Sequence, residues 1–256
     1  MDQIKTERKD DVLRITIDRP EKKNALTAAM YLALAEAVNQ GDAEQAVRVM
    51  LLHGNGDSFT AGNDLEDFLA NPWRGDSLPP AVQFMLAVAR ARKPVVAAVQ
   101  GPAVGIGLTI LLHCDLVYAA DNARLIAPFV NLGIVPEAGS TLLLPELLGY
   151  QRAAELLMLG APIGARRAYE LGLVNAVVAP DQLLPTALGA AQLLAEKPAA
   201  ALIATKSLMK KTRRQELERA MQDEVAVLGE RLDSPETREA LTAFRQKREP
   251  NFKQFR

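Results

Sequence analysis

An α/β core followed by a helical C-terminal lobe is the fold class predicted by three features of the sequence. Short β-branched apolar runs alternate with amphipathic stretches through the first two thirds of the chain. Two of those runs, over 47–52 and 95–99, lead through glycine-bearing turns into helix starts. Beyond Pro180 the strand-like runs cease and helical patterning takes over.

The elements follow in order. The charged N-terminus over 1–11 has no apolar core, and the first expected strand is 12–17. Thr27 caps a helix over 27–39, with Gly41 as its terminator. After the strand at 47–52, Asp64 suits the N-cap of a short helix reaching Leu69. The proline-bearing stretch 71–80 reads as a loop and 81–91 as an amphipathic helix. The wholly apolar run 94–99 has the character of a buried parallel strand. A helix over 107–113 and strands at 116–119 and 124–127 come next. Helices at 140–148, 151–159 and 165–171 precede a last strand at 174–178. Residues 180–247 divide into three helices, with breaks near Pro198 and Ser234-Pro235.

Bulk properties exclude several classes. The chain has 256 residues, 49% of them hydrophobic, enough for a substantial core. A formal net charge of −1 lacks the basic excess of a general nucleic-acid binder. The lone Cys114 rules out an intrachain disulfide and fits a reducing compartment. No apolar run approaches the roughly 20 residues of a membrane span, so a cytoplasmic protein without membrane contact is expected.

The two turns, Ser58-Phe59-Thr60-Ala61-Gly62-Asn63-Asp64 and Gly101-Pro102-Ala103-Val104-Gly105-Ile106-Gly107, carry the chemistry. Glycine at such turns permits positive φ and close approach of a ligand. The first amides of a helix have no intrahelical partner, so two facing turns supply two N–H donors to one oxygen, an oxyanion hole. The Gly105-x-Gly107 pair is not a dinucleotide fingerprint, because Ile110 stands at the third glycine's place. No Gly-Lys-Ser/Thr phosphate loop occurs. The neighbours His113, Cys114 and Asp115 do not converge on one ion, and no metal is expected.

Read together, the motifs resemble the crotonase, or enoyl-CoA hydratase/isomerase, superfamily over nearly the whole chain. The resemblance rests on Ile15-Thr16-Ile17-Asp18-Arg19-Pro20, Lys23-Asn24-Ala25-Leu26 and the two glycine turns. It continues through Lys93-Pro94-Val95-Val96, Cys114-Asp115-Leu116-Val117 and Leu132-Gly133-Ile134-Val135-Pro136-Glu137-Ala138-Gly139-Ser140. It implies a spiral of ββα units over 1–195 and a helical lobe over 196–256 that trimerises and covers coenzyme A. It also implies a trimer or dimer of trimers acting on an acyl-CoA thioester, with no cofactor beyond the coenzyme A of the substrate.

Carried over residue by residue, the resemblance assigns the two donor amides to Asn63 and Ile106, flanked by Gly62, Gly105 and Gly107. Hydratases of the superfamily use two glutamates; at those two places this chain has Thr109 and Phe129, which do not exchange protons at neutral pH. Glu137 is the carboxylate left in the neighbourhood, and Pro-Glu-Ala-x-Ser-Thr resembles the Δ3,Δ2-enoyl-CoA isomerase branch, where one carboxylate shuttles a proton. An apolar wall of Phe129, Leu132 and Ile134 would raise its pKa by desolvation.

The remaining substrate contacts implied are the backbone of Ala25, Leu26 and Ala61, with Lys22 or Lys23 near a phosphate. Asp64 and Phe68 lie toward the acyl group, with Trp73, Phe84 and Met85 as further wall candidates, and Phe252 and Lys253 reach the nucleotide. His53 and His113 read as structural, and the cluster over 206–214 as a solvated helix face. Hydration or thioester hydrolysis, with Glu137 acting on water, is the alternative chemistry. A non-catalytic RNA-binding role is the remote one.

Overall fold

The structure is a computed structural model, and it describes residues 3–70 and 78–255, without the side chains of 68–70. The Phe68 side chain, Trp73 and most of the expected 71–80 loop therefore lie outside what the structure describes. The principal sheet has six strands in the order β1 (Ile4–Lys9), β2 (Val12–Ile17), β3 (Val49–Gly54), β4 (Val95–Val99), β6 (Leu116–Ala120) and β9 (Ala176–Val178). All neighbours are parallel except the β1–β2 hairpin. Every residue of β4 is buried, which is why that strand reads as an unbroken apolar run.

A second, three-stranded sheet joins β5 (Pro102–Val104), β7 (Arg124–Ile126) and β8 (Ile163–Gly164). The chain passes from a strand of the first sheet to one of the second and then into a helix: β4, β5 and α4 (Ile106–Thr109), then β6 and β7. Single bridges extend the second sheet backwards, pairing Thr60 with Ala103 and Leu26 with Asn63. Successive turns of the spiral are thereby stacked, and the two glycine turns lie side by side.

Helices α1 (Ala28–Ala43) and α3 (Pro80–Arg90) pack together on one face of the sheet. On the other face α8 (Pro180–Ala195) lays Leu183, Ala187 and Ala191 against Val49, Leu51, Val96 and Ala98. Along the chain, α2 (Leu65–Ala70) falls between α1 and α3, and α5 (Ser140–Leu148), α6 (Tyr150–Ala154) and α7 (Ala165–Glu170) precede α8. Helices α9 (Ala199–Lys211), α10 (Arg214–Leu232) and α11 (Pro235–Arg245) complete the chain, with a 3-10 turn at Phe252–Phe255.

Several expectations are corrected. The charged N-terminus forms β1, an edge strand with one buried residue, so its polar sequence shows no apolar alternation. Gly41 does not end α1; it lies inside the helix, where a Cβ would meet Leu13 Cδ2 at 2.7 Å and Met50 Sδ at 2.9 Å. That glycine is a packing residue. The helix expected over 151–159 is α6 continuing as a π-helical turn at Glu155–Leu159. The helix over 107–113 is α4 followed by a 3-10 turn at Ile110–His113. Residues 180–247 form four helices rather than three, the extra break falling between Lys211 and Arg214.

The 206–214 cluster is also not wholly solvated. Lys206 is 4% exposed; its Nζ lies 2.6 Å from Asp115 Oδ2 and donates to the Lys93 carbonyl at 2.7 Å. No described helix is long and apolar enough to cross a membrane.

Candidate active site

The first glycine turn is tied down by short polar side chains. Buried Asn24 donates from Nδ2 to the Ser58 carbonyl at 2.6 Å and to that of Asn55 at 2.9 Å. The Thr60 hydroxyl donates to the Asn24 carbonyl at 2.6 Å and accepts from Gly62 N–H at 3.0 Å. Gly62 has φ +84°, and a Cβ there would sit 2.8 Å from the Val104 carbonyl oxygen, so no side chain fits. The same closeness appears at Gly107, where a Cβ would meet Thr60 Cγ2 at 2.6 Å.

Hydrogen bonding leaves two amides open. Leu26 N–H donates to the Gly62 carbonyl at 2.8 Å, and Asp64 N–H to the Leu26 carbonyl at 2.9 Å. The peptide between Gly62 and Asn63 is planar and trans, so the Asn63 N–H points opposite to the Gly62 carbonyl, away from Leu26. On the second turn Leu108 and Thr109 N–H both donate to the Gly105 carbonyl, at 2.9 and 3.0 Å. Ile106 opens α4. Among the described residues neither Asn63 N–H nor Ile106 N–H has an acceptor.

Glu137 is 5% exposed. Its Oε1 accepts from the Thr109 hydroxyl at 2.5 Å, and its Oε2 is buried without a partner. Burial pushes its carboxyl up to about 8; the Thr109 hydroxyl acts to lower it, and the Glu224 carboxylate to raise it. The loop carrying Glu137 is held from both sides. Its Ala138 carbonyl, on a residue at φ +62°, lies 2.7 Å from His113 Nε2. Burial drives His113 down to about 4, so a neutral ring makes that contact. From α10, Glu224 accepts Gly139 N–H at 2.5 Å, Thr141 N–H at 2.9 Å and the Thr141 hydroxyl at 2.6 Å.

The other anticipated residues divide. Phe129 is buried, with Leu132 and Ile134 half-buried beside it, and a Cβ on Gly105 would lie 3.9 Å from the Phe129 ring. The backbone of Ala25, Leu26 and Ala61 lines the first turn: Ala25 O accepts from Arg19 Nη1 at 2.9 Å, and Ala61 N–H donates to the Lys23 carbonyl at 2.9 Å. Lys23 reaches Asp57 at 2.5 Å. Asp64 does cap α2, accepting Glu66 N–H at 3.0 Å and Asp67 N–H at 3.1 Å, and pairs with Arg19 at 2.6 Å. Both of its oxygens are engaged inside the protein rather than toward an acyl group.

Phe84 and Met85 are core residues, 1% and 3% exposed. Phe252 and Lys253 sit on the 3-10 turn beyond α11, whose start is pinned by Asn251 N–H to Glu239 Oε1 at 2.8 Å. Among the described residues no hydrogen bond or ion pair links them to the glycine turns. A cavity of about 570 Å³ opens two residues past Asn63, between Leu65 of α2 and Leu241, Phe244 and Arg245 of α11. Glu137 is not among its lining residues.

Sequence reasoning passed over Tyr31, a buried residue of α1 whose hydroxyl donates to Asn63 Oδ1. It also treated Thr109 only as a missing glutamate and did not consider Glu224. Polar residues within apolar helix faces were the available signal, but their partners lie 28 to 85 residues away.

Stacked glycine turns with two open amides, and a buried loop carrying the Glu137 carboxylate, belong to a fold of the crotonase type. The enoyl-CoA hydratase/isomerase family profile matches residues 7–255, and the chain belongs to that family. It is 34% identical over 250 residues to 1,2-epoxyphenylacetyl-CoA isomerase of Escherichia coli K12, covering 94% of each. To 2,3-dehydroadipyl-CoA hydratase of the same organism it is 31% identical over 253 residues, covering 99% of each. A crystal structure of an enoyl-CoA hydratase/isomerase from Pseudoalteromonas atlantica T6c superposes with a TM-score of 0.94 at 40% identity, over 98% of this chain and 100% of that one.

Proposed function

We propose that this enzyme moves the double bond of an unsaturated acyl-CoA, converting a 3-enoyl-CoA to the 2-trans-enoyl-CoA, with Glu137 as its single acid and base. The observation that carries the reading is the state of Glu137: a buried carboxyl with one oxygen on Thr109 and the other unpartnered. In the reaction Glu137 takes a proton from C2, and the electron pair moves onto the thioester oxygen as an enolate. The amides of Asn63 and Ile106 hold that oxygen. The protonated Glu137 then delivers its proton to C4 as the double bond forms between C2 and C3 and the carbonyl is restored. The composition of the substrate is unchanged, and no cofactor beyond its own coenzyme A takes part.

Burial that favours the protonated carboxyl supports such a shuttle, since a base near neutrality both accepts and returns a proton. Coenzyme A is assigned to the backbone of Ala25, Leu26 and Ala61, with Lys23, Phe252 and Lys253 toward the nucleotide. The lobe over 196–256 is assigned to covering the ligand and to assembly as a trimer or dimer of trimers. Leu208 and Met209 on α9, 68% and 63% exposed, support an interface there. Names among the relatives divide between isomerase and hydratase and so do not choose between the two reactions.

Mass spectrometry of the products from 3-hexenoyl-CoA in deuterated water, beside 2-hexenoyl-CoA, tests the proposal. A shifted double bond at constant composition apart from exchanged deuterium is expected, together with loss of turnover in Glu137→Gln by at least about a thousandfold. Water addition to 2-hexenoyl-CoA without isomerisation of the 3-enoyl substrate overturns it in favour of a hydratase.

A further inference from the structure

Asn63 carries, beside its open amide, a side chain able to occupy that amide's site. A short carboxamide next to an unpaired backbone N–H competes for it through its own oxygen. In this protein the competing oxygen is withdrawn: Asn63 Oδ1 accepts a hydrogen bond from the Tyr31 hydroxyl. Tyr31 is 4% exposed on α1, its ring 6.2 Å from that of Phe84 and tilted by 42°. Burial first, and the charge of Glu137 second, hold the Tyr31 hydroxyl well above its ordinary value, so it stays a donor. With Oδ1 engaged, the donor edge of the carboxamide remains: Asn63 is exposed, and its Nδ2 has no acceptor among the described residues.

We propose that Tyr31 is a positioning residue for the oxyanion hole, holding Asn63 Oδ1 away so that only donors, the backbone N–H and Nδ2, face the thioester oxygen. This rests on the assignment of the Asn63 amide to that oxygen made above. Without the Tyr31 hydroxyl, the carboxamide turns freely and presents a repelling oxygen to the enolate. Tyr31 itself neither touches the substrate nor transfers a proton in the reaction.

The test uses 4-(dimethylamino)cinnamoyl-CoA, a conjugated thioester whose absorption moves to longer wavelength as its carbonyl oxygen accepts hydrogen bonds. The red shift on binding is compared among the wild type and the variants Tyr31→Phe, Asn63→Ala and the double variant, with turnover of a 3-enoyl-CoA and Tm alongside. Tyr31→Phe is expected to lose most of the red shift and about tenfold in kcat, with KM within about twofold. In the Asn63→Ala background the same change is expected to have no further effect, because the competing oxygen is already gone.

An unchanged red shift in Tyr31→Phe, or an equal loss in both backgrounds, overturns the proposal. Bound probe with no red shift in the wild type overturns the oxyanion assignment itself, a different outcome. Should Tyr31→Phe not fold, Asn63→Asp carries the test. It keeps an acceptor for Tyr31 but turns a carboxylate oxygen to the site, and a full red shift there refutes the donor-edge arrangement.

Discussion

Glu137 is held in an environment that opposes its charge, and stability must record this. Below its ordinary value of 4.5 the carboxyl is protonated in both folded and unfolded chains, and burial of the acid carries no ionisation penalty. Between 4.5 and about 8 the unfolded chain ionises while the folded one keeps the proton, so stability falls as pH rises. Above about 8 both are ionised and the penalty is constant. Glu137→Gln is therefore expected to be more stable than the wild type at pH 9, by several kcal/mol, with the gap closing toward pH 4. Thermal melts of both proteins across that range check the sign; a gap independent of pH contradicts it. The residue itself was legible in the sequence as the carboxylate left between Pro136 and Ala138. Its hydrogen bond to Thr109 was not, because a threonine at a place associated with glutamate reads as an absence until the fold brings it against Glu137.

At the scale of elements, α5 shows how one segment completes another. Its N-cap is Gly139, which has no side chain to accept the first amides. Glu224 on α10 does this instead, accepting from Gly139 and Thr141, while Leu217 and Met221 pack where a Cβ on Gly139 would have to go. Glu224→Ala removes all three hydrogen bonds and is expected to cost about 3 kcal/mol in urea unfolding. It should also lower kcat, because the loop ending at Gly139 carries Glu137. A loss below about 0.5 kcal/mol would show that water replaces the carboxylate there. The strand β4 and the capped start of α1 were readable from local pattern, since burial and capping act within a few residues. Strand β1 was not, because an edge strand is specified by its partner's free amides rather than by its own alternation.

For the whole molecule, the spiral matters because it sets residues 58–64 beside 101–107 through the Thr60–Ala103 bridge. A clamp then fastens the C-terminal helices to this core: Lys206 on α9 inserts its ammonium between Asp115 and the Lys93 carbonyl. Lys206→Met leaves the Asp115 carboxylate without its cation and is expected to destabilise the fold by about 3 kcal/mol, readable as a lower urea midpoint at an unchanged m-value. An effect under 1 kcal/mol would mean that the Val95 amide and solvent satisfy Asp115 unaided. The sequence by itself determined the α/β class, both glycine turns, the family and the place of Glu137, because strand burial, glycine conformations and ordered motifs are encoded locally. Only the tertiary structure decided that Tyr31 meets Asn63, that Thr109 meets Glu137 and that Glu224 caps α5. Those pairings span 32, 28 and 85 residues, and such distances are closed by the packing of the whole chain, which no local pattern records.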